Sequence, residues 1–186
     1  MKKILQQKEK VLHQIAEEVS ISDIKTKKIQ NVLKDMSISL KSQDDGVAIA
    51  APQIGYKLRI FVVSGKIFAK DFAKTREEEF LNENIAKPAP KKEILKDLIF
   101  INPKISKLSR EKEWLPEGCL SVRWLYGKTF RSKKVIITAY DENGKKFQRG
   151  ASGLLAQIFQ HETDHLNGIL FIDHAKDIKE ELPARK

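Results

Sequence analysis

Two histidines and a glutamate in His161-Glu162-Thr163-Asp164-His165 form the pattern H-E-x-x-H. On a helix, a spacing of four puts both imidazoles about one turn apart on one face, where a single metal ion can take both. The carboxylate of Glu162 then stands beside that pair, suited to take a proton from water and pass it on. The chemistry of such a set is metal-assisted hydrolysis.

A catalytic site of this kind has three protein ligands and one open position. In the longer pattern H-E-x-x-H-x-x-G-x-x-H a further histidine completes the set; Gly168 fits it but Phe171 stands at the final place, which excludes that subclass of metallopeptidase. His174, Glu180 and Glu181 stay open as downstream ligands, although they lie in a polar tail. Cys119 is the better candidate, a soft ligand in an otherwise cysteine-free chain, set in the tight run Pro116-Glu117-Gly118-Cys119-Leu120-Ser121.

The helix that must carry the histidines is predicted from about Ser152, a candidate cap, to Leu166, with Gly168 placed to end it. Leu154, Ile158, His161 and His165 recur at helical spacing, so both histidines share the apolar, core-facing side. A second helix is predicted from a cap at Ser22-Asp23 to about Ser42, with Ile29, Val32, Leu33, Met36 and Leu40 as its buried stripe. Gly46 to Gly55 is small, apolar and glycine-bounded, and Pro52 withholds a backbone donor. It reads as irregular backbone that something approaches closely.

Strands are predicted at Leu58 to Val63 and at Leu98 to Ile101, the latter ending at Asn102-Pro103. A hairpin is predicted from Val135 to Tyr140 and Lys146 to Arg149, turning at Asp141-Glu142-Asn143-Gly144. Gly65 to Asp97 is long for a connection inside one domain. Ile67, Phe68, Phe72, Phe80 and Leu81 suit a short amphipathic helix there, too few for a second core. One domain over 1–186 with an inserted segment at about 65–97 is therefore expected.

A chain of 186 residues with 41% hydrophobic residues can bury a core without help from a metal, so a metal would serve chemistry. The single cysteine excludes an internal disulfide framework and a Cys-rich zinc knuckle, and fits a reducing cytosol. No run approaches the roughly 18 apolar residues of a membrane span, and the start Met1-Lys2-Lys3-Ile4-Leu5-Gln6-Gln7 lacks the apolar stretch of a signal peptide. A cytoplasmic protein with no membrane partner is expected. The net charge of +10, from 35 basic and 25 acidic side chains, is spread along the chain and reads as solvated surface.

Three separated segments carry a resemblance: Gly46-Val47-Ala48-Ile49-Ala50-Ala51-Pro52-Gln53, Glu117-Gly118-Cys119-Leu120-Ser121 and Gln160-His161-Glu162-Thr163-Asp164-His165-Leu166-Asn167-Gly168. In type and order they resemble the three motifs of peptide deformylases, and the likeness covers nearly the whole chain apart from Gly65 to Asp97. The resemblance implies removal of the formyl group from the N-terminal formyl-methionine of nascent polypeptides. It implies an α+β fold with antiparallel sheets around a central helix carrying the H-E-x-x-H. Cys119, His161 and His165 would hold one divalent ion, iron(II) foremost, with zinc, nickel or cobalt accepted.

Glu162 would be general base and then acid, while the Gln53 amide and the Leu120 backbone N–H would stabilise the developing oxyanion. Val47, Ala48, Leu115 and Ile158 are the residues expected to line the cleft for an extended peptide. Asp164 is expected to pair with Arg131. A monomer that meets the ribosome transiently is expected. Departures from the family pattern fall at Ala48, where a second glycine is usual, at Arg123, where proline is common, and at Tyr126, where an arginine is common. These touch peptide recognition and leave the ligands intact. The competing readings are a noncatalytic ribosome- or nucleic-acid-binding protein of the same fold and a metallopeptidase using the same H-E-x-x-H.

Overall fold

In the computed structural model, which describes residues 2–69, 72 and 95–182, the run Ile60–Val63 (β2) is buried on both faces. Side chains alternate across a strand, so a wholly apolar strand must serve two layers. Ile60 and Val62 join one apolar cluster, Phe61 and Val63 another. The first is closed by helix α1 (Lys27–Lys41) through the predicted stripe Ile29, Val32, Leu33, Met36 and Leu40. The second is closed by helix α2 (Gly153–Leu166) through Ala156, Ile158, Phe159 and Leu166. Rings of Phe61 and Phe100 stack 4.5 Å apart, and Phe159 meets Phe100 edge-on at 4.9 Å. Each such buried side chain contributes about 1.5–3 kcal/mol, which seats α2 firmly on the sheet.

The fold is α+β. Five antiparallel strands lie in the order β1 (Ala48–Ala50), β2, β3 (Leu98–Leu108), β6 (Lys134–Tyr140) and β7 (Lys146–Ser152). A smaller antiparallel sheet has the order β4 (Lys112–Gly118), β5 (Leu125–Ser132) and β8 (Lys176–Glu180). Helix α2 touches β1, β2, β3, β6 and β7 of the larger sheet and β5 of the smaller. Arg59 anchors its end by donating to the Leu166 carbonyl at 3.3 Å and to Asn167 Oδ1 at 3.0 Å. Gly168 follows at φ +74°, where a Cβ would come within 2.7 Å of the His13 carbonyl carbon, so only glycine fits. No helix among the described residues is long and apolar enough to cross a membrane.

Several boundaries differ from expectation. Helix α1 starts after Thr26, because Ile21–Asp23 forms a separate 3-10 turn that contains the expected cap residues Ser22 and Asp23. The segment after Gly46 is more regular than its proline suggested: β1 pairs with β2, and Pro52 sits in the 3-10 turn Ala51–Ile54. Strand β3 continues through Pro103, where its register against β6 shifts and no ladder donor is needed. Strand β8 occupies part of the tail read as merely polar.

Of the expected insert, Ile67 and Phe68 lie in the 3-10 turn Gly65–Phe68; apart from Phe72, the residues expected to form its helix lie outside the described residues. The flanks of the segment meet, since a Cβ on Gly65 would stand 2.3 Å from the Leu95 carbonyl oxygen.

Candidate metal centre

Helix α2 turns the rings of His161 and His165 toward each other's neighbourhood, with centroids 4.9 Å apart. Cys119, in the turn that follows β4, brings its Sγ to 3.2 Å from His165 Nε2. One ligand atom from each of Cys119, His161 and His165 lies within 4.8 Å of the others. The cysteine is held from several sides. Its Sγ accepts from the Ser121 N–H at 3.4 Å, its carbonyl accepts from Val122 N at 3.0 Å, and Gln6 Nε2 donates to the Leu120 carbonyl at 3.1 Å. Beneath it, Leu12, Val122, Leu170 and Phe171 form a small buried cluster on which Cys119 packs.

Gln53, 2% exposed, reaches the centre from the 3-10 turn after β1. Its Oε1 accepts from the Ala50 N–H at 2.8 Å, which fixes the amide orientation. Its Nε2 donates to Ser121 Oγ at 3.1 Å and lies 3.6 Å from Cys119 Sγ. Behind the histidines, Glu117 Oε2 lies 3.0 Å from His161 Nδ1, so that ring's Nε2 is the nitrogen left for a ligand bond. Arg131 grips Glu117 with two bonds, 2.8 and 3.0 Å, and donates to Asp164 Oδ2 at 2.6 Å.

A model of the polypeptide deformylase family matches residues 1–181 of this chain. The chain belongs to the polypeptide deformylase family. It is 39% identical over 160 residues to a peptide deformylase of Borreliella burgdorferi, a match covering 83% of this chain and 81% of that protein. A peptide deformylase of Fusobacterium nucleatum is 36% identical, with 99% of this chain and 89% of that one covered. The Met-Ala-Ser-bound crystal structure of a class I type b peptide deformylase from Acinetobacter baumannii superposes with a TM-score of 0.72 at 27% identity, covering 92% of this chain and 97% of that one.

As a peptide deformylase-family enzyme, the chain belongs to a metal-dependent class, and its residues fit a metal. The donor set is one sulfur and two imidazole nitrogens, suited to a borderline or soft divalent ion. Two buried atoms beside it, Glu162 Oε2 and His165 Nδ1, have no hydrogen-bond partner among the described residues. Burial pushes the Glu162 carboxyl up to about 7 against the opposing pull of His161, with Glu117 and Asp164 adding to the rise. For Glu117 the same burial is outweighed by hydrogen bonds from His161 and Arg131, which hold it far below the usual carboxylate range. Two carboxyls on adjoining elements are thus driven apart, one permanently charged and one poised near neutrality.

Of the residues expected in the cleft, Val47, Ala48 and Ile158 share one apolar cluster, Ile158 being 4% and Ala48 6% exposed. Leu115, half-buried on the largely exposed β4, joins none of the buried apolar clusters. Between α2 and β4 stands Gln157, unremarked in the sequence, which donates to the Pro116 carbonyl at 2.8 Å. The expected Arg131–Asp164 pair is present. The contact of Glu117 with His161 has no counterpart in the sequence expectations; the only signal for it is the place of Glu117 two residues before Cys119. Arg123 proves to be a tie: it pairs with Asp45 and donates to Gln43 Oε1 at 3.0 Å, joining the loop ahead of β1 to the turn after Cys119.

Proposed function

We propose that this chain hydrolyses the formyl amide of N-formylmethionyl nascent polypeptides, releasing formate and a free amine. The observation that carries the reading is the convergence of Cys119, His161 and His165, with ligand atoms within 4.8 Å of one another. These three residues would hold one divalent ion, and iron(II) is proposed as the working one, with zinc, nickel and cobalt also suited to the donors. Bound there, the ion would make water a stronger acid and polarise the formyl oxygen.

Glu162 takes one proton from the attacking water and delivers it to the leaving nitrogen as the C–N bond breaks. A buried carboxyl beside the ligand pair can do both, since burial favours its protonated form and so strengthens it as a base, while the ion's charge would favour giving the proton back. As charge gathers on the formyl oxygen, the Gln53 amide and the Leu120 N–H donate to it. Gln53 is prepared for this because its orientation is already held by Ala50.

The peptide lies extended beside β1. This strand ends the order of the larger sheet, so its outer edge is not taken by another strand of that sheet. Val47, Ala48, Leu115 and Ile158 are proposed to form the apolar surroundings of the methionine side chain. The Met-Ala-Ser bound to the Acinetobacter protein is the same class of peptide. The test is formate release from formyl-Met-Ala-Ser by iron-loaded protein prepared without oxygen. Turnover that vanishes in Glu162→Ala and in metal-free protein is the expected result. Cleavage of unformylated peptides instead would favour a metallopeptidase.

A further inference from the structure

Strands β4 and β5 show opposite chemistry on their two faces. Glu117, Thr129 and Arg131 are turned in and buried; Trp114 and Phe130 are turned out, directly paired across the strands with ring centroids 5.1 Å apart. These rings remain 44% and 49% exposed. Lys112 Nζ stands 5.7 Å over the Phe130 ring and Lys176 Nζ 4.8 Å over the Trp114 ring. Lys128, opposite Lys176 in the ladder, completes the rim. Of these three lysines, only Lys128 has an ion pair among the described residues, with Asp177 at 3.3 Å.

We propose that this face is a docking platform for single-stranded RNA. Two adjacent exposed rings give flat apolar surfaces on which unpaired bases stack, whereas a duplex hides its base faces. Three ammonium groups around them supply phosphate contacts, with a single paired carboxylate against them. On binding, a base takes the place of the ammonium now over a ring, and that ammonium moves to the backbone. An acidic peptide would satisfy the lysines but leave the ring faces without a planar partner. The choice of RNA as the nucleic acid rests on the proposed function, because a nascent peptide is offered from an RNA-rich particle; the platform itself does not.

The test is fluorescence anisotropy of a labelled oligoadenylate of about twelve nucleotides, long enough to span the face, titrated with the whole protein over a range of salt. Three phosphate contacts predict a log–log salt slope near −2, at roughly −0.7 per contact on a single strand. Trp114→Ala with Phe130→Ala should weaken binding about tenfold or more. Lys112→Gln with Lys128→Gln and Lys176→Gln should remove most of the salt dependence.

Both sets lie on the face turned away from Glu117 and Arg131, so formyl-peptide hydrolysis and thermal stability should stay near those of the parent and report correct folding. Undiminished binding in either variant set, or equal affinity for polyglutamate of the same charge, would overturn the proposal. If RNA binding behaves as stated while no formate is released, the platform stands and the hydrolase reading falls.

Discussion

The two faces of β4 and β5 carry charge under opposite rules. On the inner face, the side chains of Arg131 and Glu117 are 7% and 4% exposed, and each guanidinium nitrogen of Arg131 donates to Glu117 or Asp164. On the outer face the Lys128 side chain is 56% exposed and pairs loosely with Asp177. The same strands impose both, since alternate residues point to opposite sides. Buried charge survives only when paired and hydrogen-bonded, so it locks geometry; exposed charge stays solvated and free to meet a partner. The inner face can thus fix the ring of His161, the proposed ligand, and the outer face is the one proposed to dock RNA.

Breaking the inner face should cost most. Arg131→Ala leaves the buried Glu117 without its guanidinium and part-buried Asp164 with one partner fewer, and should lower stability by roughly 3–5 kcal/mol, read by denaturant titration. Next comes Glu162, whose folded-state value of about 7 lies above its ordinary 4.5. Its contribution in metal-free protein is full below about pH 4.5 and is lost as pH rises through 7, a difference of about 3 kcal/mol. Metal-free Glu162→Gln should therefore match the parent near pH 4 and exceed it in melting temperature at pH 8.

Glu117→Gln keeps the shape but weakens the hold on His161, and should cost about 10–100-fold in metal affinity, measured by chelator competition. Arg123→Ala tests an intermediate case, a half-exposed tie between two loops. A stability loss of about 1 kcal/mol or less is expected, with KM for a formyl peptide raised more than kcat is lowered. The smallest effect belongs outside: Lys128→Gln should change stability by less than about 0.5 kcal/mol. A larger loss there would erase the contrast between the faces.

The parts of the fold that were legible are those whose burial leaves a period in the sequence. Ile29 to Leu40 and Leu154 to His165 read as helices because each packs one stripe against a sheet. Strand β2 was visible as an unbroken apolar run buried on both sides. Strand β4 was not, because charge falls on both its faces, Lys112 with Trp114 and Pro116 on one and Glu113 and Glu117 with Leu115 on the other. Strand β8 escaped for a simpler reason: all five of its residues are exposed, so no alternation marks it. The start of α1 differs from expectation because Asp23 is the last residue of a turn of its own, and a residue type that favours caps is also at home inside a turn.

At the candidate site, spacing alone determined that His161 and His165 could share an ion with Glu162 beside them, because four residues make about one helical turn. Composition determined that Cys119 was the one thiolate the chain could offer. Only the tertiary structure decided that Cys119 Sγ arrives 3.2 Å from His165, and that Glu117 turns inward onto His161. It also decided that lysines scattered along the chain gather with Trp114 and Phe130 on one face. Local geometry is written in nearby residues; the meeting of distant ones depends on how sheets and helix pack, and no short stretch of sequence contains that.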